Sequence, residues 1–86
     1  MVKKELLITN PSGLHTRPAK KIVDAAKLFE SEITIAKGDK EGSAKNLIKL
    51  MKLGITLGST VTLSCDGPDE DRALAEIESL IASLTE

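Results

Sequence analysis

Gly13-Leu14-His15-Thr16-Arg17-Pro18-Ala19 gathers the chain's single histidine, an arginine and the start of a helix into one short run. Proline is accepted in the first turn of a helix, where its missing N–H has no intrahelical partner in any case, and Thr16 is a side chain able to cap that end. His15 therefore falls at or just outside a helix N-terminus. Such an end carries partial positive charge and unpaired backbone N–H groups, and it favours an anion such as phosphate. Arg17 adds a planar guanidinium suited to phosphate oxygens, and Ser12 adds a hydroxyl a few residues upstream. Neutral imidazole nitrogens are competent nucleophiles, so a phosphoryl group on His15 would meet three kinds of donor. On spacing alone, however, a lone histidine near a helix start is more often a solvated loop residue.

Working outward, Val2 to Thr9 alternates as a strand, with Val2, Leu6 and Ile8 on one face; Lys4 and Leu7 break the pattern. Asn10-Pro11-Ser12-Gly13 is dense turn chemistry that delivers the chain to His15. From Thr16, the apolar residues Ala19, Ile22, Val23, Ala26 and Phe29 recur at helical steps, which turns Lys20, Lys21, Asp24 and Lys27 outward. Ser31 to Lys37 alternates again, with Ile33 and Ile35 inward. Gly38-Asp39 then marks a hairpin turn, and the polar return strand from Lys40 to Ser43 suits a sheet edge.

A short helix from Asn46 to Leu53 follows, stopped by Gly54. Gly58 to Asp66 is a strand with Val61, Leu63 and Cys65 on one face, which makes Cys65 a small buried hydrophobe. Asp66-Gly67-Pro68 turns the chain. Asp69 caps a last helix whose first turn holds Glu70 and Asp71 and whose stripe is Ala73, Leu74, Ile77, Leu80, Ile81 and Leu84. The order of elements, βαββαβα, predicts an α+β domain with helices on one face of a small antiparallel sheet.

Two stretches carry a resemblance to a known family. The run from Gly13 to Ala19 resembles the active-site signature of HPr, the histidine-containing phosphocarrier of the bacterial phosphoenolpyruvate:sugar phosphotransferase system. Ser43-Ala44-Lys45-Asn46-Leu47-Ile48-Lys49-Leu50-Met51-Lys52-Leu53-Gly54 resembles the family's short second helix, at the family's spacing from the histidine. The resemblance covers essentially the whole chain without gaps. It implies an open-faced β-sandwich, a four-stranded antiparallel sheet with three helices on one face, formed by residues 1–86 as a single HPr domain.

The resemblance also implies that His15 accepts a phosphoryl group on Nδ1 from phosphorylated enzyme I and passes it to sugar-specific IIA domains. Arg17, Ser12, Thr16 and the first-turn amides would steady the charge, and Lys20, Lys27, Leu47, Ile48, Lys49 and Met51 would dock partners. The protein would be one component of a relay, not a self-sufficient enzyme. At the start of the short helix many relatives hold a regulatory serine. Here that place is Asn46, which caps as well as serine but has no hydroxyl to phosphorylate. Two other readings stay open at this point: a nitrogen-regulatory paralogue with the same His15 chemistry, and an interaction domain without phosphate chemistry.

Composition sets the outer bounds. A chain of 86 residues has room for one domain, burying about 60–65% of its unfolded surface. Its hydrophobic fraction of 41% with one Phe and no Trp or Tyr makes the core aliphatic and argues against base-stacking recognition of nucleic acid. The net charge of −1 is unevenly spread: Lys20, Lys21, Lys27, Lys45, Lys49 and Lys52 fall mid-chain, and Asp66, Asp69, Glu70, Asp71, Glu76, Glu78 and Glu86 crowd the end. One cysteine and one histidine make neither an internal disulfide nor a structural zinc site, and no cofactor is called for. Without a signal sequence or long apolar run, the expectation is a cytoplasmic monomer that does not insert into a membrane.

Overall fold

The computed structural model describes residues 1–11 and 13–84. Its elements are β1 (Val2–Leu7), α1 (Thr16–Ala26), β2 (Glu32–Lys37), β3 (Lys40–Ser43), α2 (Leu47–Lys52), β4 (Thr60–Asp66) and α3 (Glu70–Ser83). The sheet runs β1-β4-β2-β3 with each neighbouring pair antiparallel. The polar return strand β3 is thus an edge, and Gly38-Asp39 is the two-residue turn that joins Lys37 to its partner Lys40.

Alternation decides which face is covered. Ile33 and Ile35 of β2 and Val61, Leu63 and Cys65 of β4 are buried, and they meet Ala19, Ile22, Val23 and Ala26 of α1, Leu50 of α2 and Ala73, Ile77 and Ile81 of α3 in one aliphatic core. Burial pushes the Cys65 thiol up from its usual range, as fits a small apolar core residue. The expected open-faced arrangement is the one observed.

Several expectations shift in detail. The first strand ends at Leu7, not Thr9, although Ile8 remains buried and still pairs with the chain ahead of β4, its N–H bonding to Ser59 O at 2.8 Å. The two residues that broke the alternation of β1 are explained by its place at the sheet edge. Lys4 lies opposite Leu63, on the covered face, and its stem reaches out so that the ammonium meets Glu78 of α3 at 2.6 Å. Leu7 is on the other face and is exposed.

Phe29 does not belong to the stripe of α1, because the helix stops at Ala26 with Lys27 as its C-cap. Phe29 packs on the core from the following turn, with the Arg72 guanidinium 5.8 Å from its ring centre. Asp69 does occupy the N-cap position of α3, but its carboxylate does not cap. It accepts instead from the backbone N–H groups of Glu30 and Ser31, both at 2.9 Å, and from the Ser31 hydroxyl. These tertiary donors outcompete the local cap and fasten the connection between α1 and β2 to the start of α3.

Candidate phosphoryl-carrier site

The loop after β1 turns tightly enough for Gly13 N–H to reach Asn10 O at 3.1 Å. Gly13 adopts φ +61°, and a Cβ there would collide with the Ile55 carbonyl oxygen, so both conformation and space require glycine. The next amide, Leu14 N–H, donates to Ile55 O at 3.1 Å while the Leu14 side chain is buried. The loop is thereby pinned to the segment after α2, and His15 emerges exposed immediately beyond the pin.

His15 is the N-cap of α1, with extended backbone and no side-chain capping bond. The first helical hydrogen bond runs from Ala19 N–H to His15 O at 2.9 Å, so the amides of the first turn precede the helix ladder. Pro18, which lacks an N–H, sits in that turn at no cost and is buried, and no acidic residue accompanies it. Thr16, expected as a cap, is instead the first helical residue, and its hydroxyl donates to the Met51 sulfur at 3.8 Å. Arg17 is exposed in the same turn. Ser12 lies outside the described residues.

A short helix stands beside this end. Asn46 caps α2, its Oδ1 accepting from Lys49 N–H at 3.1 Å. Leu50 turns into the core and Leu47 packs partly against it, whereas Ile48 is 67% exposed and Met51 40% exposed. Met51 and His15 share an open depression of about 200 Å³, completed by Leu14, Gly54, Ile55 and Thr56. A larger groove, near 610 Å³, lies between β3 and α2 among Lys40, Glu41, Lys49 and Lys52, and His15 takes no part in it.

The structure thus unites His15, Thr16, Arg17 and Met51, with Ile48 and Lys49 exposed on the same short helix as Met51. It does not bring Lys27 to the histidine. Lys27 closes the opposite end of α1, about 18 Å away by helical rise. Lys20 is exposed but paired with Asp24 at 3.1 Å. The back wall formed by Gly54, Ile55 and Thr56 was missed in the sequence, where its only signal is an apolar residue directly after a helix-stopping glycine.

Comparison with known proteins agrees with this geometry. Residues 2–83 match the family model described as PTS HPr component phosphorylation site. The chain is 46% identical over 84 residues to "Phosphocarrier protein HPr" of Haemophilus influenzae, covering 98% of this chain and 99% of that protein. It is 42% identical over 86 residues to the protein of the same name from Borreliella burgdorferi, covering all of both chains. The crystal structure of HPr-C-His from Thermoanaerobacter tengcongensis superposes with a TM-score of 0.93 at 38% identity, over 96% of this chain and 93% of that one. An exposed histidine at the N-cap of a helix, on a fold and sequence shared from end to end with these carriers, places the chain in the HPr family: it is a phosphocarrier of the phosphotransferase system.

Proposed function

We propose that His15 is the residue that carries the phosphoryl group. The observation that supports this most directly is its position as the exposed N-cap of a helix whose first turn holds Arg17 and no carboxylate. An imidazole nitrogen of His15 attacks the phosphorus held by phosphorylated enzyme I, forming the new P–N bond as the donor's bond to phosphorus breaks. Delivery is a second displacement of the same kind: a nucleophile of the IIA domain attacks the phosphorus as the P–N bond to His15 breaks. Helix-end amides and the Arg17 guanidinium stabilise the charge in both directions without adding a covalent step. Ser12 is a further candidate donor in this reading.

Docking falls to the exposed part of α2. Ile48, Met51 and the partly buried Leu47 supply a small apolar contact, and Lys49, Lys20 and Lys27 supply charge that steers an acidic partner. A carrier that must release each partner quickly is served by such a small patch and charge-assisted encounter. Asn46 supplies a cap without a hydroxyl, so control by phosphorylation at this position is lost. The protein works as a cytoplasmic monomer in this reading; among the described residues no helix is long and apolar enough to cross a membrane.

Incubation with enzyme I and labelled phosphoenolpyruvate tests the assignment. Wild type is expected to take up one acid-labile label per chain. His15→Ala is expected to take up none while unfolding within about 0.5 kcal/mol of wild type, since the side chain is exposed and makes no cap bond. Stoichiometric label on the variant would move the acceptor elsewhere.

A further inference from the structure

Some lysines of this chain are committed to its own groups: Lys4 to Glu78, Lys45 to the Phe29 carbonyl at 2.7 Å, and Lys37 to the Gly54 carbonyl at 2.8 Å. The third differs because of where its acceptor lies. Gly54 borders the depression that holds His15, whereas Lys37 sits at the end of β2 beside the hairpin turn, on a different element.

Gly54 follows the C-cap of α2 at φ +65°, and nothing within 4 Å would meet a Cβ there. A glycine has wider backbone freedom than other residues, so a partner on its carbonyl oxygen helps fix the peptide plane that follows it. The Lys37 ammonium is that partner, and the C-terminal end of a helix, where unpaired carbonyls point, is where a cation is favoured. The following residue, Ile55, bears the carbonyl that receives Leu14 N–H, and a Cβ added at Gly13 would collide with it. Direct contacts and single chain steps therefore lead from the Lys37 ammonium through Gly54 and Ile55 to Leu14, one residue from His15.

We infer that Lys37 is a positioning residue for phosphoryl transfer: by holding the Gly54 carbonyl it sets the back wall from which the His15 loop hangs. This rests on the reading of His15 as the acceptor. Because the bond is exposed, water replaces it when the ammonium is removed, so the fold is nearly indifferent to its loss. The geometry of the site is not indifferent, since transfer depends on how the acceptor nitrogen is presented.

The test compares Lys37→Met, which keeps the stem and removes the donor, with Lys37→Arg, which keeps a donor. Three readouts are needed: the amide resonances of Leu14, His15 and Ile55 by NMR, kcat and KM for phosphorylation by enzyme I, and the thermal midpoint. Lys37→Met is expected to move those resonances and to lower kcat about three- to tenfold with KM within about twofold. Its midpoint should stay within about 4 °C of wild type, and Lys37→Arg should recover most of the rate. Unmoved resonances, an unchanged kcat, or a loss confined to KM and abolished by salt would overturn the inference, the last by making Lys37 a docking charge. An unlabelled wild type would overturn the acceptor reading and the role of Lys37 with it, whereas a labelled wild type with an indifferent Lys37→Met overturns Lys37 alone.

Discussion

At the N-terminus of α3 stand Asp69, Glu70 and Asp71, whereas the N-terminus of α1 carries no acid and presents a histidine and an arginine. The two ends have the same intrinsic polarity, a concentration of amide N–H groups and partial positive charge. At α3 carboxylates of the first turn stand at that end, and Glu70 also accepts from Gly67 N–H at 3.3 Å and pairs with the amino terminus at 3.1 Å. At α1 the first turn holds Arg17 and no carboxylate. One helix start carries its own carboxylates; the other is the one proposed to hold a transferable anion, with α2 beside it as the proposed docking surface.

Making the α1 end resemble the α3 end should break the function and little else. Arg17→Glu puts a carboxylate in the first turn, as Glu70 is in the first turn of α3. Phosphoryl transfer in both directions is expected to slow on the order of tenfold or more, because a charge that attracts phosphate is replaced by one that repels it. Stability should move by no more than about 1 kcal/mol, since an acid in the first turn suits the helix. Rapid-quench kinetics beside thermal melts check both halves. Transfer within twofold of wild type would mean that the amides of the helix end suffice alone.

The proposed docking role of α2, beside the same end, is probed by Ile48→Glu. An apolar anchor near the centre of an interface costs about 1 kcal/mol or more on loss, about fivefold in affinity. Binding to enzyme I and to IIA domains should therefore weaken together, while the hydrolysis of already phosphorylated protein stays unchanged. Titration by NMR and a decay time course measure the two. If the decay accelerated as it does on changing Arg17, docking and reaction would not be separable on this surface.

The elements governed by a period were legible in the sequence. Val61, Leu63 and Cys65 announce one strand face, and Ala73, Ile77 and Ile81 announce one helix stripe, because burial on one side writes itself into spacing. What the sequence hid were choices between a near partner and a distant one. Thr16 and Asp69 are both cap-forming residues at helix starts, yet Thr16 bonds to Met51, 35 positions away, and Asp69 bonds to Ser31, 38 positions away. Lys4 looked out of register because Glu78 was not visible opposite it. The wall of Gly54, Ile55 and Thr56 was invisible for a different reason: a loop has no period, and its role comes from Gly13 approaching it.

Asp69 offers the sharpest test at the structural end. Its bonds with the Ser31 hydroxyl, and then with the Glu30 and Ser31 amides, hold the carboxyl well below its usual 3.8, down to about 2. A lowered folded-state value means that this carboxylate stabilises the fold at pH above about 4 and that the contribution is lost as pH falls through about 2. Asp69→Asn should lower the thermal midpoint at pH 6 by several degrees and flatten its decline between pH 5 and pH 2. Transfer by the folded fraction at 25 °C should match wild type. A variant that lost transfer in step with stability would show that the two helix ends are coupled.

The smallest effects belong to the third helix start, which stands between the other two in chemistry: α2 is capped by the neutral Asn46, whose amide oxygen takes the Lys49 N–H. Asn and Ser are near-equivalent caps and Ala is not one, so Asn46→Ser should change stability by only a few tenths of a kcal/mol and Asn46→Ala should cost about 1 kcal/mol. Because α2 carries Met51 beside His15 and the exposed Ile48, the alanine variant should also weaken partner binding slightly, by fraying the first turn that holds Leu47 and Ile48. The serine variant should bind as wild type does until its new hydroxyl is phosphorylated. A phosphate there would sit at the N-terminus of α2, where the backbone favours negative charge, so the helix itself should be stabilised while the added anion repels an acidic partner. Denaturant titrations of both variants, and partner titrations of Asn46→Ser before and after treatment with a serine kinase, separate these contributions. If phosphorylated Asn46→Ser bound partners as well as the unmodified variant, the helix start of α2 would be structural in the way that of α3 is, and only the end bearing His15 would be open to the outside.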